Sequence, residues 1–318
     1  MKTLSKAQIT SSLESCGFSF SESTIIHEGI YAPEDVCWNY KDMPHLNHVH
    51  SQVECIDPII GDKVMARLVN QNLFGMNLPL TVVSYNRDNT SHTYFTNFLF
   101  YTLITETTWK EIEHNRTKVT TVYSVGAKSI FTLAFPIIHW ILKRNFKILM
   151  EADIPMRLRK GELRSWGYKF LGGDPTYSFE KTLDLSRDNV VVPSNGEPTK
   201  YGKIDIAKVL PGNGEYMLGR DDHLGLRIVR NSNDLMIYQR MCLHEGASLD
   251  YKNYINGGSG IPPAPCKKKD NVLCSWHGKS FPPLSTFDLS YTQTQQKDTK
   301  FLSFKMENGI LTIEPNKK

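Results

Sequence analysis

A chain of 318 residues with 40% hydrophobic content has room for two domains of ordinary size, each with its own core. A net charge of +4, with no basic groove interleaved with aromatics, argues against nucleic-acid binding. The most apolar stretch, Ile130 to Leu142, is too short for a bilayer and contains His139, so no transmembrane segment is expected. The opening Met-Lys-Thr-Leu-Ser-Lys-Ala-Gln lacks the apolar core of a signal peptide, which makes a cytoplasmic, reducing location the expectation. Cys16, Cys37, Cys55 and Cys266 show no framework spacing and read as thiols.

In chain order, residues 1–26 read as an N-terminal segment. Asn39 to His50 then packs three histidines (His45, His48, His50) into six residues. Tyr94 to Thr108 reads as a largely buried strand rich in aromatic and β-branched residues, and Lys118 to Val125 alternates Val119, Thr121, Tyr123 and Val125 on one face. A helix is expected from about Phe135 to Trp166, kinked at Pro155. Strands packed on a long late helix predict a helix-grip cup with an apolar pocket over 27–185, the shape of START/SRPBCC-like domains. Residues 186–205, rich in Asp, Asn, Pro, Gly and Ser, read as a linker. Short apolar runs from Gly214, Leu224 and Leu235, and a last run after Asn308-Gly309, predict a small antiparallel β domain over 206–318. The fold class expected is α+β.

Two clusters in that last domain carry chemistry: Cys242-Leu-His244 and Cys274-Ser-Trp-His277-Gly278. Two cysteines and two histidines suit a structural zinc ion, but a zinc finger groups like with like, whereas here each cluster mixes the two residue types. A two-iron centre clamped by two loops needs one ligand for each iron from each loop. The segments Cys242-Leu-His-Glu-Gly-Ala-Ser-Leu249 and Cys274-Ser-Trp-His-Gly-Lys-Ser-Phe281 closely resemble the cluster-binding loops of Rieske proteins. The resemblance implies a 2Fe-2S cluster with Cys242 and Cys274 on one iron and His244 and His277 on the other. The spacing between His244 and Cys274 is longer than is usual in that family, and the excess, Asn253 to Asp270, reads as an inserted surface loop holding Cys266.

The Asp42-x-x-His45-x-x-x-x-His50 spacing resembles the mononuclear-iron motif of Rieske non-haem iron oxygenases of the ring-hydroxylating alpha-subunit kind. That family takes its third ligand from a late helix; Asp153 is the residue expected to supply it, with Glu151 the runner-up. Two imidazoles and a carboxylate on one face of Fe(II) leave positions open for dioxygen and substrate. By resemblance, Asp42 would not bind iron but would bridge a cluster histidine and His45. His48 is a spare, pocket-lining candidate, and His139 reads as a packed core histidine. His92, His114 and His223 have no partners visible in sequence.

The resemblance covers both halves of the chain in swapped order, because that family ordinarily places the cluster domain first. It implies an apolar small-molecule substrate and, since the chain has no Gly-x-Gly-x-x-Gly motif, a separate redox partner: a ferredoxin, an NAD(P)H-dependent reductase, or both. A homo-oligomer is possible. The alternative is a non-catalytic Rieske electron-transfer protein fused to a lipid-binding START-like domain.

Overall fold

The computed structural model describes residues 4–50, 53–73, 76–171, 178–182, 184–188, 190–191, 202–219, 225–249 and 271–316. The chain divides into two compact units. The first holds Met1–Glu162 and Phe170–Arg187; the second holds Leu163–Lys169 and most of the chain from Asp188 onward.

The first unit opens with α1 (Lys6–Glu14), β1 (Ser19–Gly29), α2 (Pro33–Lys41) and the one-turn α3 (Leu46–Val49). Six strands come next: β2 (Val53–Ile60), β3 (Val64–Leu73), β4 (Met76–Asp88), β5 (Ser91–Phe98), β6 (Tyr101–Glu113) and β7 (Arg116–Ala127). A 3₁₀ segment, Ser129–Ala134, leads into α4 (Phe135–Ser165). The strands form one antiparallel seven-stranded sheet in the order β1-β7-β6-β5-β4-β3-β2. The boundary expected at residue 27 therefore falls inside β1, which pairs along its whole length with β7.

Side chains alternate along a strand, so one face of this sheet can be apolar. Val119, Thr121, Tyr123 and Val125 are indeed all buried, as their spacing predicts. The expected Tyr94–Thr108 strand is instead two strands, broken by a two-residue turn at Leu99–Phe100, with Phe98 paired to Tyr101. Nothing in the composition of that run marks a turn, since neither residue is a usual turn former. Helix α4 covers the buried face: Phe146 and Met150 join Leu103, Tyr123 and Val125 in one core, with Ile138, Leu142 and Leu149 against it. Pro155 lies within α4, where its ring removes one helix hydrogen bond without ending the helix. A seven-stranded antiparallel sheet gripping a long helix at the end of the unit is a helix-grip arrangement, and the unit that carries it is about half of the chain.

Three short elements lie beyond α4: β8 (Lys169–Phe170), α5 (Phe179–Thr182) and β9 (Val190–Val191). Then come β10 (Gly202–Asp205), α6 (Ile206–Val209), β11 (Gly214–Leu218), β12 (Leu226–Asn231), β13 (Asp234–Gln239), β14 (Val272–Leu273), β15 (Ser280–Phe281), β16 (Ser285–Asp288), β17 (Gln295–Asp298), β18 (Leu302–Glu307) and β19 (Ile310–Pro315). They make two four-stranded antiparallel sheets, β10-β19-β18-β17 and β11-β12-β13-β16. Alternate residues from both, among them Ile204, Ile228, Ile237, Phe287, Phe304 and Ile313, share one core, as in a sandwich. The end of the expected linker is thus strand β10, paired with β19; residues 192–201 and the Asn253–Asp270 loop with Cys266 lie outside the described residues.

Candidate metal centres

Local sequence sets the first site. Pro33 occupies the start of α2, and the Asp35 carboxylate accepts the Ala32 N–H at 3.1 Å, so the helix begins firmly. Pro44 restricts the residue before it and the helix stops at Asp42. His45 and His50 then flank the single turn of α3, which brings their rings to 5.3 Å between centroids, edge to face. From α4, Asp153 reaches both: its Oδ1 lies 3.4 Å from His45 Nε2 and 3.0 Å from His50 Nε2. All three residues are buried, and their ligand atoms lie within 4.8 Å of one another.

The contacts within this triad are not ordinary hydrogen bonds. His45 Nε2 and Asp153 Oδ1 are buried and lack a partner in hydrogen-bonding geometry despite their proximity. Buried polar atoms are rarely left so, and three donors converging on one point is what a metal ion requires. The His45 Nδ1–H donates to the main-chain carbonyl of Asp42, which fixes the tautomer and turns the Nε2 lone pair toward Asp153. The Asp42 carboxylate is also buried, its Oδ2 3.7 Å from the same Nδ1. Burial pushes the Asp153 carboxyl up; positive charge on the His50 and His45 side, as protonated rings would carry it, more than offsets this and holds it well below the ordinary carboxylate range. The residues present fit a two-histidine, one-carboxylate metal site. Glu151, the runner-up, is exposed, and His48 points to solvent rather than into the pocket.

The triad forms part of the wall of a cavity of about 410 Å³ between the sheet and α4. Leu78, Leu80, Val82, Leu103, Phe146 and Leu149 make most of that wall apolar. From β5, His92, Tyr94, Thr96 and Phe98 point into it at every second position. His92 is fully buried, stacked on Tyr40 at 5.0 Å, with its Nδ1 2.7 Å from Asn86 Oδ1. Burial, with the Arg67 and Lys41 charges, drives its pKa down to about 3, so its ring is neutral. One turn beyond Asp153, the buried Arg157 donates to Asn39 Oδ1 at 2.9 and 2.5 Å and to His27 Nε2 at 3.1 Å. Sequence reasoning missed His27, Arg67, His92 and Arg157. Only the alternation of His92 with Tyr94 and Thr96 could have indicated one of them. His139, expected in the core, is half-buried and bridges Ser21 and Ser23 of β1.

In the second unit, Cys242, His244, Cys274 and His277 are all buried. Their two loops share one backbone plan. The carbonyl of Cys242 accepts from Gly246 N–H and that of Cys274 from Gly278 N–H, four residues on in each case; the cysteine N–H groups donate to Ala247 and Lys279 carbonyls. Gly246 and Gly278 have φ of +85° and +64°, so both turns need a residue without a Cβ. The imidazoles approach to 3.2 Å between Nδ1 atoms, and the thiols form a pair of their own. Burial opposes thiolate formation at both, yet main-chain N–H groups of His244 and Glu245 and the Cys274 thiol hold Cys242 down, while burial and Cys242 itself push Cys274 well up. Among the described residues, no three of these four bring ligand atoms within 4.8 Å of one another.

Among the described residues no helix is long and apolar enough to cross a membrane. No protein-family model and no curated protein matches this sequence. Several solved structures share a partial likeness. One is the di-domain ARO/CYC BexL of the BE-7585A biosynthetic pathway, at 13% identity over 45% of this chain and 50% of that one, with a TM-score of 0.35. This chain thus spans half the length of BexL. Others are the Zhui aromatase/cyclase from a Streptomyces species (13% identity, 46% of this chain and 96% of that one, TM-score 0.36) and a START superfamily protein from Mycobacterium smegmatis (8% identity, 46% and 98%, TM-score 0.35).

Proposed function

We propose that this chain is a Rieske-type non-haem iron oxygenase that oxidises an apolar small molecule held in the cavity of its first unit. Electrons come from NAD(P)H through a separate reductase, directly or by way of a ferredoxin. The observation that supports this reading most is the placement of His45, His50 and Asp153 in the wall of an apolar cavity, with donor atoms facing one point. The paired thiols and paired imidazoles of the second unit support the electron-transfer half.

When bound, a 2Fe-2S cluster at Cys242, His244, Cys274 and His277 and Fe(II) at the triad supply one-electron transfer and dioxygen chemistry. The chain's own groups do the rest. Asp42 holds the Nδ1 proton of His45, so that Nε2 is the atom presented to metal. Asp153, and Asp42 behind His45, would supply the negative charge that a divalent cation there needs. Phe146, Leu149 and Met150 of α4 exclude water from the cavity, and neutral His92 offers a hydrogen-bonding ring without a buried charge.

Iron content tests the proposal. Protein purified without oxygen and reconstituted with iron and sulfide should hold about three irons per chain, and Asp153→Ala about two with an unchanged cluster spectrum. A wild-type value fixed near two with Fe(II) in excess would leave a non-catalytic electron carrier joined to a ligand-binding cup. Bound zinc in a colourless protein would remove both readings.

A further inference from the structure

The outward side of a surface helix is ordinarily polar, but here it begins apolar. Ile130 (71% exposed), Leu133 (78%), Ile137 (62%) and Trp140 (57%) recur at three- and four-residue steps along the 3₁₀ segment and the first turns of α4, and so share one stripe. The same stripe continues into Lys143, Arg144 and Lys147, all exposed, with the Arg144 guanidinium 5.9 Å from the Trp140 ring centre. From Lys128 to Met150 there are four basic residues, Lys128, Lys143, Arg144 and Lys147, and no acidic one.

The β5–β6 turn extends this patch. Phe100 stacks on Phe131 of the 3₁₀ segment at 4.2 Å, and Leu99 beside it is 82% exposed. Leu99 has a φ of +52°, a conformation that tight hairpins usually give to glycine or asparagine. A strained turn that holds out a large apolar side chain points to a use for that side chain. Leu99 also lines the cavity, as do Ile138, Ile141 and Leu142 on the inner side of α4. The apolar patch therefore runs up to the cavity's edge.

We propose that this face docks on an anionic lipid bilayer, with Leu99, Ile130, Leu133, Ile137 and Trp140 entering the interface and Lys128, Lys143, Arg144 and Lys147 against lipid phosphates and carboxylates. An apolar stripe with an interfacial tryptophan and an unbroken positive charge beside it matches that surface in both chemistry and sign. An apolar ligand reaches the cavity from the bilayer without crossing water. Docking itself needs neither metal centre, so its failure and that of the oxygenase reading are separable.

Co-sedimentation of the full chain with phosphatidylcholine vesicles, and with mixed phosphatidylcholine–phosphatidylserine vesicles, is the test. The chain should sediment with the mixed vesicles far more than with phosphatidylcholine alone, and about 0.5 M salt should release most of it. Ile137→Glu/Trp140→Glu should weaken vesicle binding about tenfold or more, with an unchanged thermal midpoint. Arg144→Glu/Lys147→Glu should abolish the preference for phosphatidylserine. Absence of binding to either vesicle, or equal binding by a folded Ile137→Glu/Trp140→Glu variant, would overturn the proposal. So would self-association lost in that variant without any vesicle binding, which would make a second copy of the chain the occupant.

Discussion

His45 and Asp42 separate two roles that a sequence motif runs together. The main-chain carbonyl of Asp42 accepts the His45 proton, while its carboxylate stands 3.7 Å away. Asp42→Asn leaves the carbonyl in place and removes only the negative charge. On the proposed function, iron content should then be unchanged while kcat falls by about a hundredfold or more and KM changes little, if the carboxylate is a positioning residue for electron transfer. Unchanged kcat in a fully loaded variant would remove that carboxylate from the mechanism. His92 answers to a different physics. Its folded pKa lies near 3 against an ordinary 6.5, so between those values the unfolded chain takes up a proton that the folded one refuses. The contribution of its neutral ring is complete above about pH 6.5 and is lost as pH falls toward 3, at up to about 1.4 kcal/mol per pH unit. His27, lowered to about 4 by burial and the Arg157 charge, adds to the same trend. Denaturant titrations at about pH 7 and about pH 5 should show His92→Gln losing less stability over that interval than the wild type; an equal loss would mean that His92 is not the group refusing the proton. The candidate ligand residues could be picked out because their spacing is short and their types are chemically rare. His92 and His27 could not, because their surroundings depend on the fold: Tyr40 reaches His92 and Arg157 reaches His27 from distant stretches, and Asn86, only six residues from His92, meets it across the β4–β5 turn.

Among the elements, α4 supplies the carboxylate of the triad and two further buried charges. Asp153, Arg157 and Lys160 recur on one buried side at steps of four and three. Arg157 is matched by Asn39 and His27, and the Lys160 ammonium lies 3.4 Å from the centre of the Trp38 ring and 4.4 Å from that of Phe170. The helix comes close to the chain before α2: a Cβ on Gly161 would collide with the Ile30 carbonyl oxygen. Alanine in an ordinary helix interior would add about 1 kcal/mol of stability. Here the contact is with main chain and cannot yield by rotating a side chain, so Gly161→Ala should destabilise the fold by about 1–3 kcal/mol in chemical denaturation. A stabilised variant would mean that α4 does not approach this closely. The helix and β7 were legible from period alone, since both are long and strongly patterned. The β5–β6 break was not, because Leu99 and Phe100 serve the exposed face and conceal the turn in an apolar run.

At the scale of the whole molecule, each set of candidate metal ligands lies inside one compact unit. His45, His50 and Asp153 belong to the helix-grip unit, while Cys242, His244, Cys274 and His277 belong to the β-sandwich unit. Each unit has its own apolar core, one around Leu103, Tyr123 and Phe146, the other around Ile228, Ile237 and Phe304. The division into an α+β cup and a small β domain was readable from the change in element pattern along the chain. The exact edges were not, since β1 and β10 are short of distinctive composition and are defined by pairing with β7 and β19, strands far along the chain. Ligand sets that share no residue and no core should load independently. Cys274→Ser should therefore lose the visible absorbance of the cluster and retain about one iron, which Asp153→Ala in the same chain should remove. The single Cys274→Ser variant should accept no electrons from a reductase, even with that iron in place. If Cys274→Ser also empties the His45, His50 and Asp153 site in a protein that stays folded, the two centres are coupled and the assignment of one metal set to each unit fails.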